Sequence, residues 1–173
     1  MEMQYCTQCG GKLLPRLHER EGRVIPWCEA CSAWRYPMYN TAVSMLVMDE
    51  KKERVLLIRQ YGRPSWVLVA GYVNLGEDAE DAVVREIREE LNMTVLSLRF
   101  NRSHYFAPSN TLMLNFTATV AEPLPQPNDE VDDWAWFSPG EAREAIKPGS
   151  LARAFLHGYY DGVYHFPEVK PRG

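Results

Sequence analysis

The sequence predicts an α/β fold built on a mixed sheet, preceded by a small ribbon held by cysteines. Three observations carry that expectation. All four cysteines fall within the first 31 residues, short apolar runs rich in β-branched residues recur between positions 41 and 137, and helical apolar spacings interrupt those runs. At 173 residues the chain can bury one sizeable core and support a small appendage.

The appendage comes first. Cys6-x2-Cys9 and Cys28-x2-Cys31 are separated by 18 residues, and two such knuckles supply four thiolates for tetrahedral Zn²⁺. One zinc per chain is expected, and a structural one, because four thiolates leave no coordination position for a reactive water. It stabilises a segment too small to fold on its own core. Disulfides are the alternative, disfavoured by a reducing compartment and by the CxxC pairing. Gly10-Gly11 suits the tight turn after the first pair, and Lys12 to Trp27 reads as a two-stranded ribbon turning near Glu21-Gly22.

Trp34-Arg35-Tyr36-Pro37 then leads into the main domain, which sets expected boundaries of 1–36 for the ribbon, 37–160 for the main domain and 161–173 for a tail. Thr41–Met48 and Arg54–Arg59 are apolar runs around the polar turn DEKKE, the pattern of a β-hairpin. Trp66–Ala70 reads as a short strand. Asp78 suits the N-cap of a helix running to about Leu91, with Ala79, Val83, Ile87 and Leu91 as its core-facing stripe. Further strands are expected at about 94–105, 111–121 and 133–137. The Pro-rich, acidic EPLPQPNDEVDD reads as an exposed loop, Ser138–Ala145 as a short Ser-capped helix, 150–160 as a second helix, and YHFPEVKPRG as an extended tail.

A formal net charge of −4 argues against a protein that coats nucleic acid. No apolar run approaches a membrane span, and MEMQYCTQCGG lacks the apolar core of a signal peptide, so a cytoplasmic protein without a membrane partner is expected.

Chemistry concentrates between Gly71 and Met93, in GYVNLGEDAEDAVVREIREELNM. Helical residues three and four apart share a face, so Glu86, Glu89 and Glu90 are expected to present three carboxylates together. Anions that close repel one another unless divalent cations sit among them. Oxygen-only ligands suit Mg²⁺ or Mn²⁺, the natural partners of substrate phosphates.

This segment resembles the Nudix box, G-x5-E-x7-R-E-U-x-E-E-x-G-U with U a bulky aliphatic. Gly71, Glu77, Arg85, Glu86, Ile87, Glu89, Glu90 and Met93 match; Asn92 stands where the pattern has glycine, at a position suited to a left-handed helix cap. The resemblance implies an α/β/α sandwich and attack of water on a pyrophosphate. Matched by position, Glu86 and Glu90 would be the principal Mg²⁺ or Mn²⁺ ligands, and Glu89 a further ligand or the base. The backbone carbonyl of Ala70 would be another ligand. Glu77 and Arg85 would orient the loop and the carboxylates. Glu130, in the loop before WAWF, is similar in position to a metal-binding glutamate of the NADH-pyrophosphatase branch.

The likeness to that branch runs from Cys6 to about Leu156 and includes the ribbon, LVAGYV and PGSLARAFL. The branch signature SQPWPFPxS corresponds here to Ser103–Thr111. Ser103 is kept, His104 replaces Gln, Phe106 replaces Trp, Thr111 replaces Ser, and the second proline is missing. The domain that precedes the ribbon in many of those enzymes is not seen in this sequence. His104, Tyr105, Phe106 and Asn110 are expected to form one wall of a nucleobase pocket. Thr111, which closes that stretch, is expected among the substrate-binding residues, and Ala152 resembles a residue whose backbone contacts substrate.

The resemblance implies a nucleoside diphosphate linked to a second moiety as substrate, of the NADH/NAD, ADP-ribose or FAD type. A capped RNA 5′ end is the one nucleic-acid partner considered, and a homodimer is implied by the branch. The alternative is a non-catalytic nucleotide-sensing regulator docking through its ribbon. Retention of all three box glutamates weighs against it.

Overall fold

Alternation of apolar faces along the central strands explains why helices end up on both sides of one sheet. The computed structural model describes residues 3–121 and 124–167. The chain divides into two compact units, the first ending at Tyr39 and the second beginning at Asn40.

The first unit is a three-stranded antiparallel sheet in the order β1 (Leu14–His18), β2 (Arg23–Cys28), β3 (Ala33–Trp34). The expected turn is present, with the Gly22 amide donating to the His18 carbonyl at 2.9 Å and Gly22 at φ 63°. The third strand was not expected. It places Trp34 opposite Trp27, their ring centroids 4.8 Å apart.

The second unit holds β4 (Asn40–Met48), β5 (Val55–Gln60), β6 (Val69–Tyr72), β7 (Val95–Phe106), β8 (Thr111–Val120) and β9 (Val131–Phe137). The sheet order is β7-β8-β4-β5-β9, with β6 also paired to β4. Pairing is mixed: β4 runs parallel to β8 along its whole length and antiparallel to β5 and β6. The expected β4–β5 hairpin closes over only two residue pairs, Val47–Leu56 and Met48–Val55, before β6 takes its place beside Ala42–Met45. The third strand of the expectation starts later, at Val69 rather than Trp66, and runs through Gly71. Strand β9 starts two residues earlier than expected, because Val131 is buried and pairs with Gln60.

Helix α1 (Ala79–Leu91) packs Ala82, Val83, Ile87 and Leu91 on Val43, Met45 and Val47. Helices α2 (Pro139–Ala145) and α3 (Leu151–Asp161) cover the other face, where Ala142, Ile146, Phe155 and Leu156 meet Leu46, Val55 and Leu57. A strand buried on both faces must be apolar throughout, which is why Ala42 to Met48 reads as an almost unbroken run. The result is the α/β/α sandwich with a mixed sheet. Asp78 occupies the N-cap of α1 without a side-chain cap bond, while Asn92 caps its C-terminus at φ 53°, as the left-handed position requires.

Helix α3 continues to Asp161, one residue into the expected tail. The start of that tail is packed: Phe166 stacks on His104 at 3.8 Å, and a Cβ on Gly158 would lie 2.1 Å from the Tyr164 ring. The rest of YHFPEVKPRG, residues 168–173, lies outside the described residues, as do 122–123 of the acidic loop. Among the described residues no helix is long and apolar enough to cross a membrane.

Candidate active site and metal centres

Arg85 organises the loop between β6 and α1. Its Nε donates to Glu77 at 2.7 Å, one terminal nitrogen to Glu86 at 2.8 Å and Glu89 at 3.0 Å, and the other to the Tyr72 carbonyl at 2.9 Å. Glu77 also accepts from the Asn74 amide at 2.9 Å, so it fastens the loop to the helix. The Arg85 guanidinium, aided by that amide, holds the Glu77 carboxyl down at about 2. Arg85 is held charged in return.

Gly71 lies directly beneath Glu86. A Cβ there would sit 2.0 Å from the Glu86 carboxyl carbon and from Oε1, so any side chain at this position would push the Glu86 carboxylate from its place. Ala70 precedes it on β6, opposite Ser44.

The three box glutamates occupy different surroundings. The side chain of Glu89 is 57% exposed and that of Glu86 13%, while Glu90 as a whole is 4% exposed. Glu90 Oε2 is buried with no hydrogen-bond partner among the described residues. Burial first, then repulsion from Glu86, Glu130 and Glu89, pushes the Glu90 carboxyl up to about 8. An orphaned buried carboxylate oxygen facing further carboxylates is the environment a divalent cation would relieve. The expected convergence of three carboxylates is therefore looser than helix spacing suggested: Arg85 takes the place between Glu86 and Glu89. Glu130 lies in the loop before β9, and Tyr61 donates to its Oε2 at 2.6 Å. Sequence reading missed Tyr61, which stood in an unremarkable QYGRP turn.

The expected nucleobase wall is divided between faces of β7. Adjacent strand residues point oppositely. His104 pairs with Met113, on the α3 side, and is stacked under Phe166; burial, aided by Arg102, lowers its pKa. Tyr105 is 46% exposed and donates to the Asn110 side chain at 2.8 Å. Phe106 and Thr111 close the β7–β8 connection as a pair, and Asn110 there has φ 50°. Ala152 is in the first turn of α3, half-buried against the α2/α3 core.

Cys6, Cys9, Cys28 and Cys31 place their sulfurs within 4.8 Å of one another, with Cys6–Cys31 at 3.9 Å and Cys9–Cys28 at 3.5 Å. Four bonds of about 2.3 Å at tetrahedral angles require sulfurs about 3.8 Å apart, so the donor set fits a tetrahedral ion. Arg35 donates to the Cys6 sulfur at 3.1 Å, a contact the sequence did not announce. Against burial, that guanidinium and the Cys9 and Gln8 amides draw Cys6 down to about 6. The neighbouring Cys9 side chain, followed by burial, pushes Cys31 up to about 12. Thiols this crowded cannot all ionise without a cation among them. Among the described residues this is the one group of three or more Cys, His, Asp or Glu whose ligand atoms all come so close.

A NUDIX domain model matches residues 38–156. A Pseudomonas aeruginosa protein named NAD-capped RNA hydrolase NudC is 34% identical over 160 residues, covering 90% of this chain and 55% of the relative. The Vibrio atlanticus protein of the same name is 27% identical over 165 residues, covering 93% of this chain and 59% of the relative. The chain thus spans less than two thirds of the curated relatives it matches. Among solved structures, a NUDIX hydrolase from Nitrosomonas europaea superposes with a TM-score of 0.59 at 22% identity, over 95% of this chain and 96% of that one, a likeness of fold.

Proposed function

The chain belongs to the Nudix family, and on that premise we propose that it is a divalent-cation-dependent pyrophosphohydrolase acting on a nucleoside diphosphate linked to a second moiety. One observation carries this reading: the buried oxygen of Glu90, without a partner among the described residues and set among Glu86, Glu89 and Glu130. Glu86 and Glu90 would hold Mg²⁺ or Mn²⁺, with the Ala70 carbonyl and Glu130 as further ligands. A cation held there would acidify a water and neutralise pyrophosphate charge. Arg85 and Glu77 keep the box loop fixed around that place. Glu89, exposed and tethered among the described residues through Arg85, would either complete the ligand set or take the proton of the attacking water. Zn²⁺ in the cysteine quartet would be structural.

The names of the curated relatives and the likeness to the NADH-pyrophosphatase branch support NADH, NAD, ADP-ribose, FAD and an NAD-capped RNA 5′ end as candidate substrates. A cytoplasmic homodimer completes the proposal. The test is phosphate release, coupled to a phosphatase, from that panel with Mg²⁺ or Mn²⁺. Turnover of one dinucleotide-type compound is expected. Tight binding of one member with no turnover of any would replace this reading with the nucleotide-sensing regulator.

The packing of Glu86 on Gly71 adds a sharper expectation. Gly71→Ala should reduce turnover by about 10–100-fold, because the new methyl displaces a ligand carboxylate. Assay beside wild type at saturating Mg²⁺ checks it; an unchanged rate would remove Glu86 from the ligand set.

A further inference from the structure

The loop carrying Glu130 is tied to the box helix. Gln126 and Asn128 donate backbone N–H groups to the carbonyls of Leu91 and Glu90, at 2.8 and 3.1 Å. The Asn128 side-chain oxygen then accepts from the Glu130 amide at 2.9 Å. From the β5–β6 connection, the Tyr61 hydroxyl donates to Glu130 Oε2 at 2.6 Å, and the Gly62 amide donates to Asp132 at 2.6 Å.

Tyr61 is not held there by burial, since it is 61% exposed. Its φ of 57° lies in the left-handed region that bulky residues rarely enter. Strain of that kind persists only where the surroundings over-determine it, and such positions cluster at functional sites. The Gly62–Asp132 bond already joins the two loops, so the hydroxyl contributes something other than loop closure: a fixed direction for the Glu130 carboxylate.

We propose that Tyr61 and Asn128 are positioning residues that set Glu130 toward Glu90, leaving Glu130 Oε1 for a divalent cation. This rests on the reading of the box as a cation site. The Glu90 backbone carbonyl anchors the same loop, so one residue fixes both walls of the site.

Mn²⁺ binding to the zinc-loaded full chain, read from the EPR signal of free Mn²⁺ without nucleotide, tests it. Tyr61→Phe should weaken Mn²⁺ binding about tenfold with the melting temperature unchanged. Glu130→Gln should weaken it at least as much, and the double variant should bind no more weakly than Glu130→Gln alone. Wild-type affinity in Tyr61→Phe beside a weakened Glu130→Gln overturns the role of Tyr61. Wild-type affinity in Glu130→Gln overturns the inference as a whole. Wild-type affinity in Glu90→Gln would instead overturn the cation reading of the box.

Discussion

Glu90→Gln should lower kcat/KM by about 10³-fold or more while leaving the protein at least as stable at pH 7. The two halves of that result have one cause. Glu90 is buried among carboxylates with one oxygen unpartnered among the described residues, so its charge is unfavourable unless a cation neutralises it. Glutamine keeps the shape and discards the charge. The pH dependence follows with a definite sign. The Glu90 pKa is raised from 4.5 to about 8 on folding, so between those values the native state binds more protons than the unfolded chain. The Glu90 contribution to stability without Mg²⁺ should therefore fall as pH rises from about 4.5 to about 8, so wild type should lose stability across that range relative to the variant. Denaturant melts across this range, with zinc retained and Mg²⁺ omitted, measure it. An identical slope in wild type and variant would mean that Glu90 is not the strained group.

Cys28→Ser should unfold the ribbon and leave the second unit folded. Cys28 is 1% exposed, and among the described residues the cluster around it contains only Cys6 and Leu13 as further buried members. So little apolar burial cannot offset the entropy of ordering the segment. A structural zinc contributes on the order of 10 kcal/mol in comparable small folds, and three thiolates hold it poorly. Zinc content should drop below one per chain, and limited proteolysis should cut between residues 6 and 36 while sparing the sheet that begins at Asn40. A variant that keeps stoichiometric zinc and resists protease would show that the ribbon is held by something other than its metal.

The box and the two CxxC pairs were legible because their spacing is itself the chemistry: carboxylates on one helix and thiolates on paired knuckles are fixed by local geometry. Strands were legible where a face had to be buried, as at Val43, Met45 and Val47. Boundaries were less so. Val131 belongs to β9 because Gln60 lies opposite it, a fact about another segment. Tyr61 was invisible because nothing in QYGRP announces a left-handed tyrosine. His104 and Tyr105 were grouped as one wall by adjacency in sequence, whereas strand alternation sends them to opposite faces. Arg35 beside the Cys6 sulfur and Phe166 on His104 were missed for the same reason: each contact closes over many residues of chain.

The parallel pairing of β4 with β8 carries a consequence for the order of assembly. Asn115 on β8 donates to Ser44 on β4 across 71 residues of sequence, and the whole box lies between them. A ribosome therefore delivers Gly71 and the acidic helix well before the strand that completes the sheet beneath them. Closing so long a loop is slow compared with forming a helix. The segment that most resembles an active site is made early, and the sheet beneath it is completed late, when β8 docks.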